Sequence, residues 1–152
     1  MRTLFFIPAF LTLVALLSSC EVKPQPIAYG DVNCQHCQMT VTDKRYGAET
    51  VLKTGKAYYF DSIECMVAYL QEKPEEKEKT SLQLVTDFNQ PGHLLNAEEA
   101  AYLQSKNLPS PMGMFLTAFN TKNDTEKMQQ NNGGRVLNWQ DVNTVVSNNE
   151  RP

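Results

Sequence analysis

The sequence predicts an α+β fold built from two small ββαβ-like units packed together, and three observations carry that expectation. Short β-prone stretches and a helical stretch follow one another in the order strands, helix, strand, and that order comes round roughly twice. The chain has 152 residues, enough for one ordinary domain or two very small ones. Neither half is long enough to bury a large core alone, so the two are expected to share one. No exact internal repeat is visible.

The elements follow in order. Gln38 to Thr42 is β-prone, and Gly47 to Lys53 is a second such stretch, with Asp43, Lys44 and Arg45 as turn material between them. Thr54-Gly55-Lys56 is a turn signal before the aromatic stretch Ala57-Tyr58-Tyr59-Phe60. Ser62 then caps a helix in which Ile63, Met66, Val67 and Leu70 fall at i, i+3, i+4 and i+7, and Pro74 closes it. The mixed charge run Glu72 to Lys79 reads as a solvated helix end or loop. Leu82 to Thr86 alternates like a strand and enters a loop from Asp87 to Gly92. Asn96 is expected to cap a helix from Ala97 to about Ser105. Asn107 to Pro111 is a rigid loop, Met114 to Phe119 a strand, and Lys122 to about Gln130 a helix stopped by Asn132-Gly133-Gly134. Arg135 to Trp139 gives a last strand and Gln140 to Val146 a final short helix. The units are accordingly expected at 29–90 and 91–152.

Composition excludes several function classes. Lys+Arg total 14 against 17 Asp+Glu, a net charge of −3, and no basic stripe marks a nucleic-acid binder. The seven glycines are scattered, and the pattern around Gly113 lacks the Lys-Ser/Thr of a phosphate loop. A single long apolar run rules out several membrane spans. No Gly-x-Ser-x-Gly elbow and no His-Glu-x-x-His occurs, and the two histidines lack a nucleophile partner, so no hydrolytic or transfer enzyme is expected.

That apolar run, Leu4 to Leu17 after Arg2, is too short to span a bilayer comfortably and reads as a secretory signal. It ends in Leu17-Ser18-Ser19-Cys20, an order that resembles the bacterial lipobox. Residues 1–19 are therefore expected to be removed and Cys20 to be lipidated, holding the chain at a membrane on the extracytoplasmic side without threading it through. Residues 20–28, with Pro24 and Pro26, read as an extended tether, and folding is expected to begin near Tyr29.

Sulfur is the conspicuous resource beyond Cys20. Cys34, Cys37 and Cys65 remain, with Met39, Met66, Met112, Met114 and Met128. If Gln38 onwards is a strand, Cys37 and Met39 project from one face, their bases about 5–7 Å apart. Thiolate beside thioether is a soft donor pair that favours Cu(I) over zinc, iron or hard cations. Met112 and Met114, in a proline-framed loop where burial is not expected, are candidates to complete the low coordination that Cu(I) accepts. Met39 also reads as core filler, Met66 lies on the apolar face of its helix, and Met128 reads as packing. Cys34-x-x-Cys37 equally fits a structural disulfide, half of a zinc site completed by Cys65 with His36 or His93, or a redox pair. His36 is a candidate auxiliary ligand; His93 reads as incidental.

Taken together, Cys34-x-x-Cys37-x-Met39-x-Val41, Gly47-Ala48-Glu49, Gly55-Lys56-x-Tyr58-x-Phe60-Asp61-Ser62-x-x-Cys65-Met66, Ser110-Pro111-Met112-Gly113 with Ala118-Phe119, and Gly133-Gly134 resemble the NosL family. These are lipoproteins associated with maturation of nitrous oxide reductase. The resemblance implies a fold of two ββαβ-type units and a chaperone that delivers Cu(I) to the reductase or another copper enzyme apoprotein. Carried over by position, it implies Cys37, Met39 and Met112 as ligands, with Met114 as a helper and Cys34 and Cys65 as further candidates. The Tyr-x-Phe-Asp-Ser-x-x-Cys stretch also resembles small metal-handling modules of the YHS or TRASH kind, which points to Cys65. The family often has glycine between its motif cysteine and methionine, where this chain has Gln38. Two alternatives stay open: a zinc-stabilised interaction module, and a thiol-disulfide protein using Cys34 and Cys37.

Overall fold

A computed structural model describes residues 22–152; the leader and Cys20 lie outside the described residues. The first unit comprises β1 (Ala48–Leu52), β2 (Ala57–Phe60), α1 (Ile63–Glu72), α2 (Pro74–Lys79), β3 (Thr80–Thr86) and β4 (Leu94–Asn96). The second comprises β5 (Ala101–Gln104), β6 (Leu116–Phe119), α3 (Lys122–Asn132), β7 (Arg135–Leu137) and α4 (Trp139–Ser147). The sheets run β2-β1-β3-β4 and β6-β5-β7, with every pairing antiparallel. In each unit the first strand is central, the second lies on one side, and the strand after the helix returns on the other. The two ββαβ units thus share one topology without sharing a sequence repeat.

One apolar core joins them. Phe60, Met66 and Val85 of the first unit cluster with Tyr102, Leu116 and Val142 of the second. Tyr102 stacks on Trp139 with ring centres 5.7 Å apart, and Phe88 tilts against Phe119 across the junction at 5.8 Å. Each such side chain withdrawn fully from water contributes about 1.5–3 kcal/mol. Polar links fix the register: the Phe88 N–H donates to the Ala118 carbonyl at 2.9 Å, and Gln71 Nε2 on α1 donates to the Asn143 carbonyl on α4 at 3.0 Å.

Several elements depart from expectation. Residues 38–42 form no strand; a lone bridge pairs Asn33 with Thr40. Pro74 ends α1 and then opens α2, where its missing N–H is no loss. The helix expected after Asn96 stops after one turn. Asn96 Oδ1 accepts the Glu98 N–H at 2.9 Å and its carbonyl accepts the Ala100 N–H at 3.0 Å, but Ala101–Gln104 then becomes the central strand. Two flanking ladders and complete burial of Tyr102, Leu103 and Gln104 outweigh local helix propensity there. β6 begins at Leu116, because Phe115 has φ +61°. β7 stops at Leu137, because Asn138 and Asp141 form a capping box that makes Trp139 the first residue of α4. β4 pairs with β3, so the first sheet extends past residue 90.

The tether docks earlier than Tyr29. The Gln25 N–H donates to Glu49 Oε1 at 2.8 Å, and Ile27 packs on the core. Tyr29 lies so close over Gly47 that a Cβ there would sit 2.5 Å from its hydroxyl. Among the described residues no helix is long and apolar enough to cross a membrane.

Glu49 is fully buried on β1, and its Oε2 has no partner among the described residues. Burial pushes its pKa from 4.5 up to about 7. A folded-state value above the unfolded one means that the neutral acid stabilises the fold below pH 4.5, and that this contribution is lost as pH rises through 7. Glu49→Gln, which keeps an acceptor for Gln25, is expected to flatten the fall in melting temperature between about pH 5 and 8. At pH 8 it should be more stable than wild type by about 1–3 kcal/mol. Equal pH slopes for the two proteins would remove Glu49 from this role.

Candidate metal centre

The site begins with a tight turn. The Cys34 N–H donates to the Met39 carbonyl at 2.8 Å and the Gln38 N–H to the Cys34 carbonyl at 3.0 Å, while Gln38 adopts φ +66°. The Gln35 N–H donates to the Tyr59 carbonyl at 2.8 Å, pinning the turn to β2. Directly after β2 come Asp61, the helix cap Ser62, and Cys65, whose N–H donates to Ser62 Oγ at 3.3 Å. The result is a cluster of Cys34, Cys37, Asp61 and Cys65 whose ligand atoms all lie within 4.8 Å of one another. Cys34, Asp61 and Cys65 are buried, Cys37 is half-buried, and all three thiols are free. The Cys34–Cys37 pair does not open a helix, unlike a thioredoxin-type redox pair.

The three sulfurs differ electrically. A hydrogen bond from the Cys65 thiol, aided by the backbone N–H groups of Cys37, Asp61 and His36, holds the Cys34 pKa down to about 6 against the opposing effect of burial. Burial pushes Cys37 up to about 11, and the neighbouring Cys34 and Asp61 raise it further, while the Met39 N–H opposes. The Cys37 thiol donates to Asp61 Oδ2 at 3.5 Å. Cys65 is raised too, first because its proton is shared with Cys34 and then by burial. The cluster thus makes Cys34 the sulfur most ready to ionise and keeps Cys37 and Cys65 the harder ones. Its position at the start of the ten-residue α1 adds the positive end of a helix dipole.

The methionines are sorted by burial. Met39 and Met112 are exposed by 48% and 36%. Met114, expected on a displayed loop, is instead buried in the core. Its carbonyl accepts Gln104 Nε2 at 3.0 Å, which draws it inward. Met66 is core, as its helix face requires. Met112, Met114, Cys65, His36 and Glu64 line one cleft of about 230 Å³, so the thioether loop of the second unit meets the thiol cluster of the first at Cys65, while Cys34, Cys37 and Met39 lie outside that cleft. His36 Nε2 lies 3.3 Å from Glu72 Oε1, and its Nδ1 is buried without a partner. His93 is exposed and outside the cluster. The premise that Cys37 and Met39 share a strand face fails, because left-handed Gln38 turns the chain between them: Cys37 points into the cluster while Met39 stands in solvent.

Sequence reading missed two residues. Asp61 falls inside the motif that points to Cys65, four places before it, but carries no mark there as a donor of its own. Glu64 lies in the first turn of an amphipathic helix and had no mark beyond its charge.

The NosL family model matches residues 26–146. This chain belongs to the NosL family. It is similar to the copper-binding lipoprotein NosL of Stutzerimonas stutzeri, 27% identical over 131 residues, covering 80% of this chain and 68% of the relative. Its fold is that of the crystal structure of the copper chaperone NosL from Shewanella denitrificans, with a TM-score of 0.68, 22% identity, and coverage of 79% of this chain and 95% of that one.

In this NosL-family chain Gln38 holds the left-handed backbone that glycine favours while carrying a longer side chain. Gln38→Gly is therefore expected to raise stability by about 0.5–1 kcal/mol, read as a higher denaturant midpoint at unchanged slope. A lower midpoint would show that the Gln38 Nε2 bond to the Gln35 carbonyl, at 3.1 Å, outweighs the backbone strain.

Proposed function

We propose that this NosL-family chain is a membrane-anchored, extracytoplasmic chaperone that carries Cu(I) as cargo and delivers it for assembly of the copper centres of nitrous oxide reductase, or of another copper enzyme. The observation that carries the reading is the convergence of three free thiols within 4.8 Å, one of them sharing a cleft with the Met112 thioether, in a chain that matches this family over most of its length. The leader ending in Leu17-Ser18-Ser19-Cys20 supports the anchor.

Soft sulfur donors suit Cu(I), which is stable with two or three of them. Cys37 is the anchor ligand, Cys34 and Cys65 stand behind it, and Met39 and Met112 are neutral donors on the exposed side. A carrier must hold its ion and still let it go. An exposed thioether is a weak ligand that a partner can replace first, after which the half-buried Cys37 can be exchanged before the buried sulfurs are disturbed.

The zinc reading also has an observation of its own, since Asp61 completes a set of three thiolates and one carboxylate, a four-coordinate environment zinc accepts. Anaerobic Cu(I) titration of the reduced protein against a chromogenic chelator, with Zn(II) in parallel, separates the two. About one tightly held copper per chain is expected, lost in Cys37→Ser and about tenfold weaker in Met112→Ala. Stoichiometric zinc with a raised melting temperature, and no copper retained against the chelator, would reverse the assignment.

Protons compete with the ion. With Cys34 ionised and Cys37 and Cys65 protonated, loading all three sulfurs at pH 7 should release about two protons per copper. Affinity should therefore fall as pH falls, and more steeply below about 6, where Cys34 is protonated as well. An indicator dye in weak buffer reads the release; none at all would leave Cys34 as the sole thiolate ligand.

A further inference from the structure

We propose that Glu64 is a positioning residue, holding the loop from Ser110 to Phe115 so that Met112 meets the same ion as Cys65. The inference rests on the Cu(I) reading above. Glu64 stands directly before Cys65 in α1 and is only 3% exposed. Its Oε1 accepts two donors from the second unit: the Ser110 hydroxyl and, at 3.4 Å, the Met114 N–H. Ser110 Oγ in turn accepts the Phe115 N–H at 2.8 Å, and the Ser110 carbonyl accepts the Gly113 N–H at 3.0 Å. Both ends of the Pro111–Met114 stretch thus close on one carboxylate oxygen belonging to the other unit.

The loop needs such a clamp. Gly113 has φ +73° and Phe115 has φ +61°, and the second is a conformation that a bulky L residue rarely adopts without being held. Met112 rides on this loop and lines the cleft beside Cys65 and Glu64. Packing alone does not account for a carboxylate here. Among the described residues Glu64 Oε2 is buried with no partner, which costs stability, and every other buried residue of α1 is apolar, a tyrosine or the cysteine. Because Glu64 and Cys65 are consecutive, the same short piece of backbone sets the thiol and, through the clamp, the thioether.

The test is a double-mutant cycle on full-length, detergent-solubilised, reduced protein, with Cu(I) competition and melting curves measured side by side. Glu64→Ala and Met112→Ala should each weaken Cu(I) binding about tenfold, and the double variant should lose no more than either single one. Glu64→Gln keeps an oxygen acceptor for the loop and should restore most of the affinity. Ser110→Ala breaks the same clamp from the loop side, which keeps the question answerable if Glu64→Ala does not fold. A folded Glu64→Ala or Ser110→Ala protein with wild-type affinity overturns the proposal, as do losses that add in the double variant. Glu64→Gln as weak as Glu64→Ala would assign the effect to charge and overturn positioning. Wild-type protein that retains no Cu(I) sinks the chaperone reading and this inference with it, whereas loss of the effect in the variants alone sinks only the inference.

Discussion

The burial of α1 between the two units is the contact on which the rest of the structure depends. Its stripe Ile63, Met66, Val67 and Leu70 is withdrawn from water within the shared core. Ten residues of helix cannot hold themselves together in water, so α1 exists because both units pack around it. Its start is thereby placed rigidly, with Asp61 and Cys65 facing the Cys34–Met39 turn and Glu64 facing the loop of the second unit. Packing, a thiol cluster and an inter-unit clamp are consequences of one helix being held from two sides.

Electrostatics then decide what the cluster is able to do. Three sulfurs within 4.8 Å of one another cannot all be charged in a buried site, since like charges at that distance each disfavour ionisation of the others. The protein eases the conflict by making Cys34 the readiest to ionise, with the Cys65 thiol donating to it and the Cys37 thiol donating to Asp61. A soft cation changes the balance through its bonds to sulfur, which replace the sulfur–proton bonds that the crowding protects. The same crowding that makes the empty cluster reluctant to ionise makes it receptive to a soft ion. It also leaves Cys37, the half-buried member, as the natural point of entry and exit.

Local signals were read correctly where a short segment decides its own shape. Ser62 with the 3.6-residue apolar spacing is visible as α1, Gly55 as the turn before β2, and Gly133 as the end of α3, because capping and turn chemistry act within a few residues. They misled where a distant partner decides. Asn96 does start a helical turn, but β6 and β7 claim the following residues as a central strand. Cys37-x-Met39 has a strand-like pattern, but Gln38 turns left-handed under the pairing of Cys34 with Met39 and of Gln35 with Tyr59. Met114 looks like a displayed loop residue until Gln104 and Glu64 draw its backbone into the junction.

By itself the sequence determined the donor inventory, the helices α1, α3 and α4, the class of fold and the family. Each is written in residue type and short-range spacing, which need no tertiary contact to be read. Only the tertiary structure decided which donors meet. Cys34 and Cys37 reach Asp61 and Cys65 across more than twenty residues, and Met112 reaches their cleft from still further along the chain. Those distances close through β-pairing and a shared core whose energy is spread over both units. No local spacing records that outcome, so Asp61 and Glu64 gained their places in the site only once α1 was packed.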